Sequence, residues 1–318
     1  MFSDKSHWVV KLWKSKSCGV EYIDQVGKWQ RNARCTLHTA LLSQFDSTTH
    51  TLTDITIDAL NTRLSDEVHR GNKRALKNLL RKGADPNSAL RPAVVRDNVD
   101  IINVLLEHGA HANKALHDAV LWTKDDIVQV LLAHGADPNK ALDYAVFWNR
   151  INIVQMSLKH GADPNKVNAL QKAADEGHIH IVRLLIDKGA DVNKGYALEE
   201  AARAGHIHIV KFLIAKGADV NRGNGLQEAA QAGHIQIVRL LIDKGADVNR
   251  DDVLEGAVEG DNISVVKLCI EKGANIKKSK ALRTAASKGR TDTVSMLLDK
   301  GASPDQIFGV YRPRCNLT

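Results

Sequence analysis

The chain has 318 residues, 43% of them hydrophobic and 25% charged, with 22 glycines; that mix can bury a core and excludes wholesale disorder. Lys and Arg number 44 against 37 Asp and Glu, a net +7 spread along most of the chain, which favours solubility and by itself does not point to nucleic acid. The opening MFSDKSHWVVKLWK holds no apolar run of signal-peptide length, and no uncharged apolar stretch of about 18 residues occurs, so neither secretion by that route nor membrane spanning is expected.

Residues 1–60 match nothing downstream and hold three of the five tryptophans, Trp8, Trp13 and Trp29, with Phe2, Tyr22 and Phe45. Two readings stand side by side, a helical cap over the open end of a stack formed by the later residues and a small independent docking segment. A third, an enzyme built on Cys35 and His38, needs a spatial placement that their separation in sequence does not establish. Cys18, Cys35, Cys269 and Cys315 form no CxxC pair and no recurring spacing, so neither a disulfide framework nor a zinc knuckle is indicated, and a reducing compartment, the cytoplasm, is expected.

From residue 61 the sequence repeats. Gly-Ala recurs at Gly83, Gly109, Gly135, Gly161, Gly189, Gly217, Gly245, Gly273 and Gly301, spaced 26 residues three times and then 28 five times. Nineteen residues before each glycine stands a leucine, Leu64, Leu90, Leu116, Leu142, Leu170, Leu198, Leu226, Leu254 and Leu282, so a 20-residue block is fixed and only the connector varies. In eight of the nine units, from Ala93 to Ala285, Ala stands three residues past the leucine with Val or Ala next, which marks a short helix with a small-residue face. A second apolar run, such as Ile181, Val182, Leu184, Leu185 and Ile186, ends at Lys-Gly-Ala or His-Gly-Ala, a helix C-terminus signal in which Gly accepts the left-handed cap and the cation complements the dipole. The unit is helix, tight turn, helix, connector, and neither helix is long enough to stand alone.

GHIHIVRLLIDKGADVN, GHIHIVKFLIAKGADVN and GHIQIVRLLIDKGADVN resemble ankyrin repeats, and the resemblance extends from 61 to about 310. It implies an all-α helix-turn-helix solenoid of about nine repeats (61–310), with an N-terminal extension (1–60) and a C-terminal tail (311–318). Two departures are visible. The family's T-P-L-H start is replaced by Ala-Leu-Gln, Ala-Leu-Glu or Gly-Leu-Gln, and the units are 26 or 28 residues where the family's common unit is about 33. The seven steps from Gly109 to Leu116 span at most roughly 23 Å, enough to reach the next helix pair but not to build the family's projecting β-hairpin finger. The concave helix face, rather than finger tips, is therefore the expected binding surface.

The resemblance places the variable concave positions five and six past each leucine. They read Val95 and Arg96, Leu121 and Trp122, Phe147 and Trp148, then Asp175 and Glu176, Arg203 and Ala204, Gln231 and Ala232. Repeats two to four thus gather Val95, Leu121, Trp122, Phe147 and Trp148, with Tyr144 close by and Arg96 as rim charge. Such clusters carry much interface energy; the competing reading makes these aromatics core, filling gaps left by the shorter connectors. The same repeats replace the interhelical glycine with Asp97, Thr123 and Asn149, so a local rearrangement is expected there, above all at β-branched Thr123.

His178 with His180 and His206 with His208 invite a metal reading, but the resemblance makes the first of each pair a turn residue bonding backbone, and no metal or other cofactor is expected. No GxxxxGK[ST], nor a GxGxxG after a strand, offers a nucleotide site. Lys277, Lys278, Lys280, Arg283, Lys288 and Arg290 form a basic run without an acidic residue, a possible patch for an acidic protein or nucleic acid, or the polar cap of a terminal repeat. Cys269 takes the place of the core leucines and reads as packing. Together these readings describe a monomeric, non-enzymatic protein-binding module or adaptor whose partner is another protein, with nucleic acid and membrane disfavoured.

Overall fold

The computed structural model describes residues 22–23, 29–30, 56–250 and 252–308, and the chain divides into two compact units, Met1–Asp58 and Ala59–Thr318. In the first, two-residue strands β1 (Tyr22–Ile23) and β2 (Trp29–Gln30) pair antiparallel, with Tyr22 opposite Gln30 and Ile23 opposite Trp29. The cap and docking readings of residues 1–60, the Cys35–His38 reading and the tail 311–318 otherwise lie outside the described residues.

From residue 56 onward the structure is a succession of short helices in pairs. They are α1 (56–70) with α2 (Lys73–Arg81), α3 (Pro86–Val95) with α4 (Val99–Glu107), α5 (Asn113–Leu121) with α6 (Asp125–Ala133), and α7 (Pro138–Phe147) with α8 (Ile151–Lys159). Then come α9 (Ala169–Asp175) with α10 (Ile179–Asp187), α11 (Ala197–Ala204) with α12 (Ile207–Ala215), α13 (Gly225–Gln231) with α14 (Ile235–Asp243), α15 (Val253–Glu259) with α16 (Ile263–Glu271), and α17 (Ala281–Ser287) with α18 (Thr291–Asp299); a last turn, α19 (Asp305–Phe308), closes the series. Among the described residues of 56–308 no strand forms, so this is an all-α solenoid whose connectors are turns rather than hairpins.

Past α1, the helices of seven to ten residues are below the roughly 12–15 that hold on their own in water; stacking supplies the rest. First helices bury Leu and Ala, such as Leu116 with Ala119, while second helices bury larger side chains, such as Ile181, Val182 and Leu185, and all form one continuous core. Cys269 is fully buried among them.

The shorter repeats lose their residues from the connector, as the spacing predicts. Asp85 and Asp137 cap α3 and α7 directly after Gly-Ala, each carboxylate accepting the N–H two residues on at 2.9 Å, and Pro86 and Pro138 fill the first helical position, where a missing N–H costs nothing. Those helices run ten residues against seven in α9 and α13. Successive connectors are joined by asparagines: Asn87 Oδ1 accepts the His111 N–H, Asn113 that of Asp137, and Asn139 that of Asp163, at 2.8, 2.9 and 3.0 Å.

The rearrangement expected at Asp97, Thr123 and Asn149 does not occur. All three adopt left-handed φ of 57°, 54° and 54°, as Gly177 does at 76°. The closing backbone bonds are kept, with Lys124 N–H to Ala119 O at 2.9 Å and Arg150 N–H to Ala145 O at 2.8 Å matching His178 N–H to Ala173 O at 2.8 Å. The Ala and Val core on both sides over-determines the turn, so even β-branched Thr123 is held in a conformation it disfavours.

Candidate protein-interaction surface

The turn between the paired helices fixes where the aromatics stand. Trp122 and Trp148 each follow the last residue of a first helix, donating their N–H to Asp118 O and Tyr144 O at 3.0 Å. With Ala119, Val120, Ala145 and Val146 turned into the core, the helical period sends the last residues of the helix outward. Trp122 is 55% exposed, Phe147 54%, Val95 50% and Trp148 38%. Trp122, Phe147 and Trp148 therefore do not fill the core as the competing reading had it, whereas Tyr144 does pack against it.

Leu121 and Tyr144 are half-buried and Arg96 is exposed. Phe147 and Trp148 meet edge to face, centroids 5.0 Å apart at 89°, and Tyr144 meets His117 of the preceding repeat in the same way at 5.1 Å, geometry that aromatic quadrupoles favour. Ile151, the first residue of α8, is 36% exposed and was not singled out by the sequence, because Ile also stands at the same repeat position as Ile179, Ile207 and Ile235, where the structure leaves it half-buried.

The polar surroundings are paired across repeats. Arg91 Nε lies 2.8 Å from Asp118 Oδ2, Lys124 Nζ 2.8 Å from Asp97 Oδ2, and Lys172 pairs with Asp143. Arg150 Nη2 donates to Leu121 O at 3.2 Å.

Two of the turn histidines, His206 and His234, behave as the resemblance implies, whereas the buried His178 Nε2 meets no hydrogen-bond partner among the described residues. His206 Nε2 bonds Asp175 O at 2.8 Å and His234 Nε2 bonds Arg203 O at 3.0 Å, each reaching back one repeat. Glycine at the preceding turn makes room for the ring: a Cβ on Gly177 would stand 2.6 Å from His206 Cε1. His180 and His208 point outward, and among the described residues no three His, Cys, Asp or Glu side chains are grouped to hold a metal ion.

The basic run is only partly a patch. Lys280 Nζ lies 3.6 Å from Asp252, Arg290 donates to Glu259 O at 2.9 Å and stands 3.3 Å from Asp261, and Arg283 donates to Gln306 O at 3.3 Å. Lys277, Lys278 and Lys288 remain exposed. Counter-charges come from one repeat earlier, outside the window in which the run holds no acid. Among the described residues no helix is long and apolar enough to cross a membrane.

This arrangement defines a helical-repeat solenoid. The ankyrin-repeat family model (ankyrin repeats, three copies) matches residues 64–142, 142–224 and 226–307, most of the chain, and the chain belongs to that family. Among solved structures, the crystal structure of the human ASB11 ankyrin repeat domain matches at a TM-score of 0.52 and 24% identity, over 59% of this chain and 98% of that one, a likeness of fold. No curated protein matches the sequence. Ankyrin repeats indicate a protein-protein interaction module, and the family is typically non-enzymatic.

Proposed function

We propose that this chain is a non-enzymatic adaptor that binds a partner protein through the first-helix row of its repeats, centred on Val95, Trp122, Phe147 and Trp148. Leu121 and Tyr144 complete the apolar floor and Arg96 the charged rim. The observation that carries this reading is the exposure of Val95 and three aromatic side chains, Trp122, Phe147 and Trp148, on successive repeats, since aromatic side chains, Trp above all, dominate the energy of interfaces. Most first helices bury two or more small alanines beside the leucine, second helices Ile, Val and Leu; interaxial distance follows side-chain size, which puts the first-helix row on the inner side of the curve in this reading, where a partner's protruding element is gripped from several repeats at once. The proposed division is an extension at 1–60, the repeats at 61–310 and a tail at 311–318.

The test is affinity capture with the wild-type chain and with Trp122→Ala plus Trp148→Ala, alongside thermal melts. Exposed side chains contribute little to folding, so the double change is expected to cost within roughly 1 kcal/mol of stability, chiefly from the lost ring contact, while the captured partner disappears. Retention of every captured protein by a folded double variant would refute the reading.

A further inference from the structure

A second surface has a different chemistry. On the outer side of the second helices, opposite the buried Ile181, Val182 and Leu185, the helical period brings Arg183 outward, and the repeat places Lys211, Arg239 and Lys267 at the same position of α12, α14 and α16. All four are exposed. Some cations elsewhere along the stack meet a carboxylate one repeat away, as Lys216 meets Asp187 at 3.9 Å and Lys272 meets Asp243 at 2.6 Å. The row from Arg183 to Lys267 meets none within ion-pair distance among the described residues, and Asp243, the acid beside Arg239, is already engaged by Lys272.

Within this row the surface between α12 and α14 is open, a groove of about 440 Å³ lined by the apolar Ile207, Ile235 and Leu240, the cations Lys211 and Arg239, and Gln236 and Asp243, the last paired with Lys272. One repeat earlier the corresponding space is occupied by Phe212, whose ring lies under Arg183 at 4.5 Å and Lys216 at 5.5 Å. Packed helices stand about 8–10 Å apart, so the cations recur at that spacing. A polyproline-II chain advances about 3.1 Å per residue with three residues per turn, placing every third side chain on one side about 9 Å apart. The match selects an extended peptide. Single-stranded nucleic acid fits less well, because it needs aromatic platforms for its bases, and the Phe212 ring is already covered by two cations.

We propose that the outer face of α10, α12, α14 and α16 binds an extended acidic peptide segment, its carboxylates meeting Arg183, Lys211, Arg239 and Lys267 while an apolar side chain enters the groove between α12 and α14. This site is independent of the aromatic surface and lets one chain hold two partners.

The probes are a fluorescent peptide of repeated Glu-Pro-Leu triplets, its Gln-Pro-Leu and Glu-Pro-Ser counterparts, and an oligothymidylate, titrated into the full chain by anisotropy. The Glu-Pro-Leu peptide is expected to bind with an affinity that falls as salt is added, and both counterparts to bind more weakly. Lys211→Glu plus Arg239→Glu, at exposed positions that leave the melt unchanged, is expected to weaken binding by about tenfold or more. Trp122→Ala plus Trp148→Ala is expected to leave it intact. Absence of binding, binding unchanged in the charge-reversed variant, or loss in the tryptophan variant overturns the proposal. So does tighter binding of oligothymidylate that the same charge reversal abolishes, which reassigns the face to nucleic acid.

Discussion

Asn193 Oδ1 accepts the backbone N–H of Asp219 at 2.9 Å, and the same amide donates to Gly217 O at 3.1 Å. One side chain thereby satisfies two backbone groups of the next connector, the role that paired strands play in a hairpin. Asn165, Asn221 and Asn249 repeat both contacts, and the Asp two residues before Asn193 accepts its N–H at 2.9 Å. The ladder runs along the edge where the family's longer connectors would project.

Breaking one rung leaves a donor and an acceptor without their partner. Asn193→Ala is expected to cost about 1–2 kcal/mol, seen as a fall of about 2–6 °C in the melting temperature. Asn193→Asp keeps the acceptor and is expected to lose less. A wild-type melt for the alanine variant would show the ladder to be energetically idle.

Thr123 sits at a φ of 54° where Asp97 and Asn149 hold the same turn in neighbouring repeats. Its β-branch makes the left-handed region costly, and its side chain is exposed, so little packing offsets that cost. Thr123→Asn is expected to stabilise by about 0.5–1 kcal/mol, and Asn149→Thr to destabilise by a comparable amount. Denaturant unfolding of both variants checks the sign; equal midpoints for all three proteins would show that the turn carries no strain.

Burial pushes the Cys269 thiol from its ordinary 9.0 up to about 12. In the folded chain it is therefore expected to resist alkylation at pH 8 and to react once the chain is unfolded, as peptide mapping by mass spectrometry would reveal. Between pH 9 and 12 the unfolded state loses this proton and the folded state keeps it, so stability falls as pH rises through that window and is unaffected below it. Cys269→Ala removes this one contribution. The stability difference between the two proteins should shift in the variant's favour above pH 9, and a difference that stays constant would contradict the buried thiol.

The sequence alone determined the repeat, the helix pairs and the core. Gly-Ala marks where each second helix stops, Leu and Ala fix the face of each first helix, and the apolar runs fix the second; these are local patterns of helical period, and every repeat restates them. The candidate positions from Val95 to Trp148 were legible too, though not whether Trp122 and Trp148 face water, because that depends on how far each helix is rotated against its neighbours. Tertiary structure alone decided the rest. Asn193 finds Asp219 across 26 residues, Arg290 finds Asp261 across 29, and Lys211 stands beside Arg239 across 28. Such pairs are set by the offset at which one repeat stacks on the next, and that offset arises from packing alanine against alanine and isoleucine against leucine over the whole solenoid, a sum that no single repeat contains.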